Sequence, residues 1–187
     1  SRGQKFHFLT GWFSWFADAL HLVFTMMAIA WTIGMVGWPK YFSLPMELFL
    51  IPIIGFFVSK AVFGIVLYRK RVPCSWHDTI MASIASMGLS HAIARGIFLG
   101  LWKKKGEFVR TAKSRRLSSK PSAFASVREE LLMFLALLAC IFGMSNSNAI
   151  TYTEGKLWID ILAAQAIPYA SALIGAWVAH QSNEAMA

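Results

Sequence analysis

The sequence predicts an all-α membrane protein with about four transmembrane helices, one amphipathic interfacial helix and one basic cytosolic loop. Three observations carry that expectation. Of the 187 residues, 57% are apolar and 14% charged, with a mean hydropathy of +0.54, whereas a soluble domain is about half apolar and about one quarter charged. The apolar residues gather in stretches near the roughly 20 residues that a helix needs to cross about 30 Å of hydrocarbon. The 18 Lys and Arg, against 9 Asp and Glu, concentrate on one expected side of those stretches. A net charge of +9 taken alone would suggest nucleic acid. With this hydropathy it marks cytoplasmic loops and anionic headgroups or phosphorylated substrates, and no nucleic-acid partner is expected.

Residues 1–14 read as a cytosolic or interfacial lead-in. The chain starts at Ser1, and no small-residue cleavage site follows Arg2 and Lys5, so a piece of a longer chain without a signal peptide is expected. A transmembrane pair occupies 15–68, with spans from about Trp15 to Gly37 and from about Glu47 to Leu67. A second pair occupies 127–180. Its first span starts near Leu131, is strictly apolar only to Met144 and borrows Ser145 to Ile150; its second runs from about Leu157 to Ala179. Residues 181–187 form a tail. Pro52 and Pro168 predict kinks, because each removes a backbone donor inside a helix.

The segment 69–102 holds a basic turn, Arg69-Lys70-Arg71, and an apolar stretch from Trp76 to Trp102 that ends against Lys103-Lys104-Lys105. Crossing the bilayer would put one cluster outside, against the positive-inside rule. Thr79, Ser83, Ser86 and Ser90 recur every three or four residues and make one polar stripe. An interfacial helix is the favoured expectation, and a fifth span or re-entrant hairpin is the alternative. With both ends cytoplasmic, 14 basic residues lie inside and Lys40 and Lys156 outside, leaving Lys60 and Arg95 within helices. Ser126 with Glu129, and Ser75 with Asp78, have capping-box spacing at two helix starts. Cys74 and Cys140 have no metal-type or framework spacing.

The most polar tract is the basic cytosolic loop 103–126, which carries Glu107 as its one acid. From composition alone it is a positive-inside loop against anionic lipid. Its core, Phe108-Val109-Arg110-Thr111-Ala112-Lys113, places a hydroxyl between two cations after an aromatic anchor, which suits recognition of a diphosphate. The tract resembles the gating loop, Phe-x-Val-Thr-x-Lys, of processive family-two glycosyltransferases, the membrane synthases of cellulose and related β-glucans. Phe108, Thr111 and Lys113 match, and Arg110 stands in place of the Val of cellulose synthases. Gln4 to Trp12, Gly88 to Gly96, Ile167-Pro168-Tyr169 and the order of elements extend the resemblance over nearly the whole chain.

That resemblance implies the gating and membrane-channel portion of a β-glucan synthase in the bacterial inner membrane. Thr111 and Lys113 would contact the phosphates of a UDP-sugar, Phe108 would seat the loop, and Arg110 would add a phosphate contact or mark a glucan other than cellulose. The family's catalytic Asp, Asp-x-Asp, Thr-Glu-Asp and Gln-x-x-Arg-Trp motifs are absent from these residues. Catalysis with UDP-glucose and a divalent metal, Mg2+ or Mn2+, is therefore expected of a preceding cytosolic domain, and this segment alone is expected to be inactive.

A polysaccharide path needs flat rings and hydrogen-bonding groups. Trp12 and Trp15 are candidates for it, although tryptophans near span ends commonly form the interfacial belt. Charged and amide groups within spans are costly and face partners or water-filled routes. They are Asp18 and His21, three apart, with Lys60, Asp160 and Gln165. A Lys60–Asp18 salt bridge is the structural reading of the same residues. His91 and Arg95, four apart, are expected to meet the catalytic domain or lipid headgroups. No metal site is expected, since His21 and His91 lack the other ligands of a set. Two rival classes remain: a small transporter or channel subunit with an intramembrane charged route, and an enzyme making a lipid-linked sugar.

Overall fold

The computed structural model describes residues 2–43, 46–57, 62–103, 123–147 and 153–184. The chain is all-helical, with α1 (Arg2–Gly37), α2 (Met46–Phe57), α3 (Phe63–Arg71), α4 (Trp76–Gly88), α5 (Ser90–Trp102), α6 (Ala123–Ser126), α7 (Arg128–Ser145) and α8 (Thr153–Glu184). The expected lead-in 1–14 is continuous with the first span: α1 is 36 residues long, or about 54 Å at 1.5 Å per residue. Both α2 and α8 continue past their internal prolines, Pro52 and Pro168.

Among the described residues, three helical stretches are long and apolar enough to cross a membrane: Trp15–Gly37, Trp76–Trp102 and Glu154–Gln181. The first and last coincide with expected spans, and the middle one is the stretch expected in the interface. The expected second span contains α2 and α3, and residues 58–61 between them lie outside the described residues. In the expected third, residues 148–150 lie outside the described residues, and the helix ends at Ser145. There Asn146 Nδ2 donates to the Phe142 carbonyl at 2.8 Å and Ser147 Oγ to the Met144 carbonyl at 2.7 Å, so side chains satisfy carbonyls that a further turn would have bonded.

Helix α8 is central and packs on α7, α4, α2 and α1. The core between α1, α2, α7 and α8 includes Phe49, Leu137, Met144, Trp158 and Leu162. Phe49 meets Trp158 edge to face at 5.1 Å between ring centroids, an arrangement that suits the ring quadrupoles. Trp158 Nε1 donates to Thr32 Oγ1 at 3.0 Å, while Thr32 Oγ1 donates to the Ala28 carbonyl at 2.7 Å. The connection after α1 folds back: Trp31 Nε1 donates to the Ser43 carbonyl at 2.8 Å, and its ring meets Phe42 edge to face. Gly34 makes that return possible, because a Cβ there would lie 2.7 Å from the Phe42 ring.

The polarity of the bundle is inverted relative to a soluble one. Asp18, His21, Thr25, Ala28 and Thr32 recur every three or four residues and form the buried face of α1, while Leu20, Met26 and Ile33 point outward. Small and polar residues at helix contacts with large apolar side chains outside are the membrane arrangement. The same holds in α4 and α5. Thr79, Ser83 and Ser90 of the expected polar stripe are buried, Ser86 is exposed, and Ile80, Met81, Leu89 and Phe98 are exposed. The stripe therefore faces the bundle, whereas an interfacial helix was expected to turn it to water.

Helix α4 packs on α8 and α5 on α1. Gly88 sits where α4 crosses α8, so that a Cβ would meet the Ala172 backbone nitrogen at 3.1 Å. Trp15 and Phe16 of α1 face Ile93, Gly96 and Ile97 of α5. These contacts lie in the N-terminal half of α1 and the C-terminal half of α8, at one end of the bundle.

Candidate functional site

The inward face of α1 brings Asp18 and His21 into the bundle, where Asp18 is only 1% exposed. Thr25, one turn on, donates from Oγ1 to the His21 carbonyl at 2.8 Å, which satisfies its hydroxyl within the helix. The His21 ring lies 4.2 Å from that of Phe56 on α2 and 5.9 Å from that of Tyr169 on α8. Tyr169 is buried, hydrogen-bonds the Thr25 side chain and lies within electrostatic reach of Glu130. On its other side the His91 ring of α5 lies 5.9 Å away, centroid to centroid.

His91 leads to the start of α7. Its Nε2 is 3.1 Å from Glu129 Oε2, and Arg95 Nη1 is 2.7 Å from Glu129 Oε1. One carboxylate thus holds both members of the i, i+4 pair and ties α5 to α7. The Arg95 side chain stays 59% exposed, so this pairing leaves the expected contact with a catalytic domain or headgroups open. Helix α7 has Val127 at its N-cap position, one residue after the expected cap Ser126, which ends α6. The Ser75–Asp78 box does form, with Asp78 N donating to Ser75 Oγ at 3.1 Å and Ser75 N to Asp78 Oδ2 at 3.3 Å.

Two cavities flank this series. One of about 640 Å³ opens beside His91, Arg95, Ser126, Arg128, Glu129 and Glu130. The other, about 240 Å³, lies between α1, α2 and α8 and is lined by His21, Phe24, Pro52, Phe56 and Gln165. Tyr169 stands between His91 and His21, so rings and carboxylates run from the polar cavity into the bundle. The Gln165 amide is fully buried, and its nitrogen and oxygen have no hydrogen-bond partner among the described residues. Ser90 Oγ and His91 Nδ1 are in the same condition. Such groups are costly to bury unless a guest or water completes them. The arrangement can hydrogen-bond a polar guest and exchange protons. Among the described residues no group of three or more His, Cys, Asp or Glu gathers to hold a metal ion.

Of the residues expected to line a path, the structure brings together Asp18, His21 and Gln165. Trp15 is instead 63% exposed, on the outer side of α1. Asp160 is exposed as well, since five positions before Gln165 place it on a different face of α8. Neither side chain turns into the polar cluster. Lys60, Phe108, Arg110, Thr111 and Lys113 lie outside the described residues, as does the side chain of Trp12. No family model, curated protein or solved structure matches the chain.

Sequence reasoning missed Tyr169, Glu129 and Glu130 as site members and gave His91 a different partner. A signal for Tyr169 was present, since it lies four residues after Gln165 and hence on the same helix face. The pairing of Glu129 with His91 joins positions 38 residues apart, which no local period reveals.

Proposed function

We propose that this chain is the channel and gating portion of a processive β-glucan synthase, which polymerises glucose from UDP-glucose and moves the polymer across the bacterial inner membrane. The observation that carries the reading is the buried polar and aromatic series Asp18, His21, Gln165 and Tyr169 inside a bundle whose outer face is apolar. Sugar hydroxyls need hydrogen-bonding groups and sugar faces need flat rings, and ionisable groups within spans favour a hydrated route. The resemblance of Phe108 to Lys113 to a gating loop supplies the nucleotide end. UDP-sugar binding at Thr111, Lys113 and Arg110, a preceding catalytic domain with its Mg2+ or Mn2+, and cytoplasmic ends belong to the same proposal.

In this reading α4 and α5 lie across the cytosolic end of the bundle. Supporting it are their contacts with the N-terminal half of α1 and the C-terminal half of α8, and the cations at both their ends. Arg69 stacks 4.3 Å over Trp76 at one end, and Lys103 follows Trp102 at the other. Placing both on one side satisfies the positive-inside rule.

A second reading, a transporter or channel subunit with a charged route, is favoured by one observation. The series from Glu129 through His91, Tyr169 and His21 to Asp18 consists largely of groups that exchange protons. One experiment separates the two. In the complete protein, Thr111→Ala with Lys113→Ala is expected to lower polymer formation from UDP-glucose and weaken UDP inhibition by about tenfold or more, the worth of a charge-assisted phosphate contact. Unchanged synthesis and inhibition overturn the glucan reading. Proton flux in vesicles that depends on His21 and needs no UDP-sugar establishes the other.

A further inference from the structure

The outer groove between α1 and α5 has a chemistry unlike the polar cluster. Trp15 and Phe16 form one wall, and Ile93, Ile97, Gly96 and Gly100 form the other, enclosing about 720 Å³. The lining is almost wholly carbon. Gly96 and Gly100 are four apart and share a face of α5. A Cβ at either meets nothing within 4 Å among the described residues, in contrast to Gly88, which is pressed against the backbone of α8. Glycine is the least favourable residue in a helix interior after proline. Gly88 permits a helix contact; Gly96 and Gly100 leave an open trough.

Charge identifies what fills it. Leu101 lines the end of the groove, Trp102 beside it is 89% exposed, and Lys103 follows. Arg95, on the same helix, is neutralised by Glu129 at 2.7 Å, but Lys103 is exposed and has no ion pair among the described residues. An exposed Trp followed by an exposed cation is the pattern of a headgroup boundary. A saccharide in this trough would leave its hydroxyls without partners, whereas a hydrocarbon chain would not.

We propose that the α1–α5 groove is a binding site for one acyl chain of an anionic glycerophospholipid whose phosphate rests against Lys103. The site stands independently of the glucan reading. The test is native mass spectrometry of the complete protein, released from detergent in an equimolar mixture of phosphatidylglycerol and phosphatidylcholine. The wild type is expected to retain one phosphatidylglycerol. Gly96→Leu with Gly100→Leu fills the trough with good helix formers and is expected to abolish that retained lipid while the elution volume stays unchanged. Lys103→Gln leaves the trough intact and is expected to lower the preference for phosphatidylglycerol by about fivefold, the effect of one cation at a membrane surface. Equal retention in the filled variant, or an unaltered headgroup preference in Lys103→Gln, overturns the proposal; if the filled variant fails to fold, the Lys103→Gln result decides.

Discussion

Glu129 shows how one side chain can join two helices. Its two oxygens take Arg95 and His91 separately, but the Glu129 and Arg95 side chains are each about half exposed, so solvent screens the ion pair. Glu129→Ala is therefore expected to cost about 1 kcal/mol, measured by thermal unfolding in detergent. Arg95→Ala should cost less in that background than in the wild type, because the partner has already gone. The hydrogen bond from Trp158 to Thr32 is fully buried. Trp158→Phe keeps most of the ring but removes the donor, and an expected loss of about 1 to 3 kcal/mol, measured the same way, reflects the unsatisfied group. At this scale the sequence revealed residues whose presence in a span is anomalous, as with Asp18, His21 and Gln165. It did not reveal Glu129, because an acid at a helix start is ordinary and only the tertiary partner makes it otherwise.

The helices themselves were legible where one local signal governed them. The apolar run of α1 and the Ser75–Asp78 box are set by residues within a few positions of one another, and both form. The orientation of α4 was not legible, since a stripe of Thr and Ser suits either water or a neighbouring helix. Its burial against α8 depends on the close approach at Gly88. Gly88→Ala places a methyl group 3.1 Å from the Ala172 backbone nitrogen, where no rotamer change relieves it, and is expected to destabilise by about 1 to 3 kcal/mol. Gly96→Ala meets open space and is expected to stabilise by about 0.4 to 1 kcal/mol through the unfolded chain. Thermal unfolding of both variants checks the pair of signs, and the opposite order would mean that α4 does not seat on α8 through Gly88.

For the whole molecule, composition was enough to expect a helical membrane protein, because burial of apolar surface in lipid leaves few alternatives. The number of crossings was harder to read, since length and hydropathy alone make Trp76–Trp102 a candidate span. The proposed reading draws its constraint from packing. Helix α5 leaves the polar cluster at His91 and runs along Trp15 and Phe16 in the N-terminal half of α1, while α4 crosses α8 at Ala172, in its C-terminal half. In the proposed reading, a segment packed against that half of the bundle returns its two termini to the same side. Single cysteines at His77 and Lys103, with Cys74 and Cys140 replaced by Ser, are therefore expected to react with a membrane-impermeant maleimide in inside-out vesicles and not in intact cells. A crossing segment would instead expose one of the two from outside. That outcome would put Arg69 to Arg71 and Lys103 to Lys105 on opposite faces and remove the cytosolic placement on which the proposed nucleotide recognition by Thr111 and Lys113 depends.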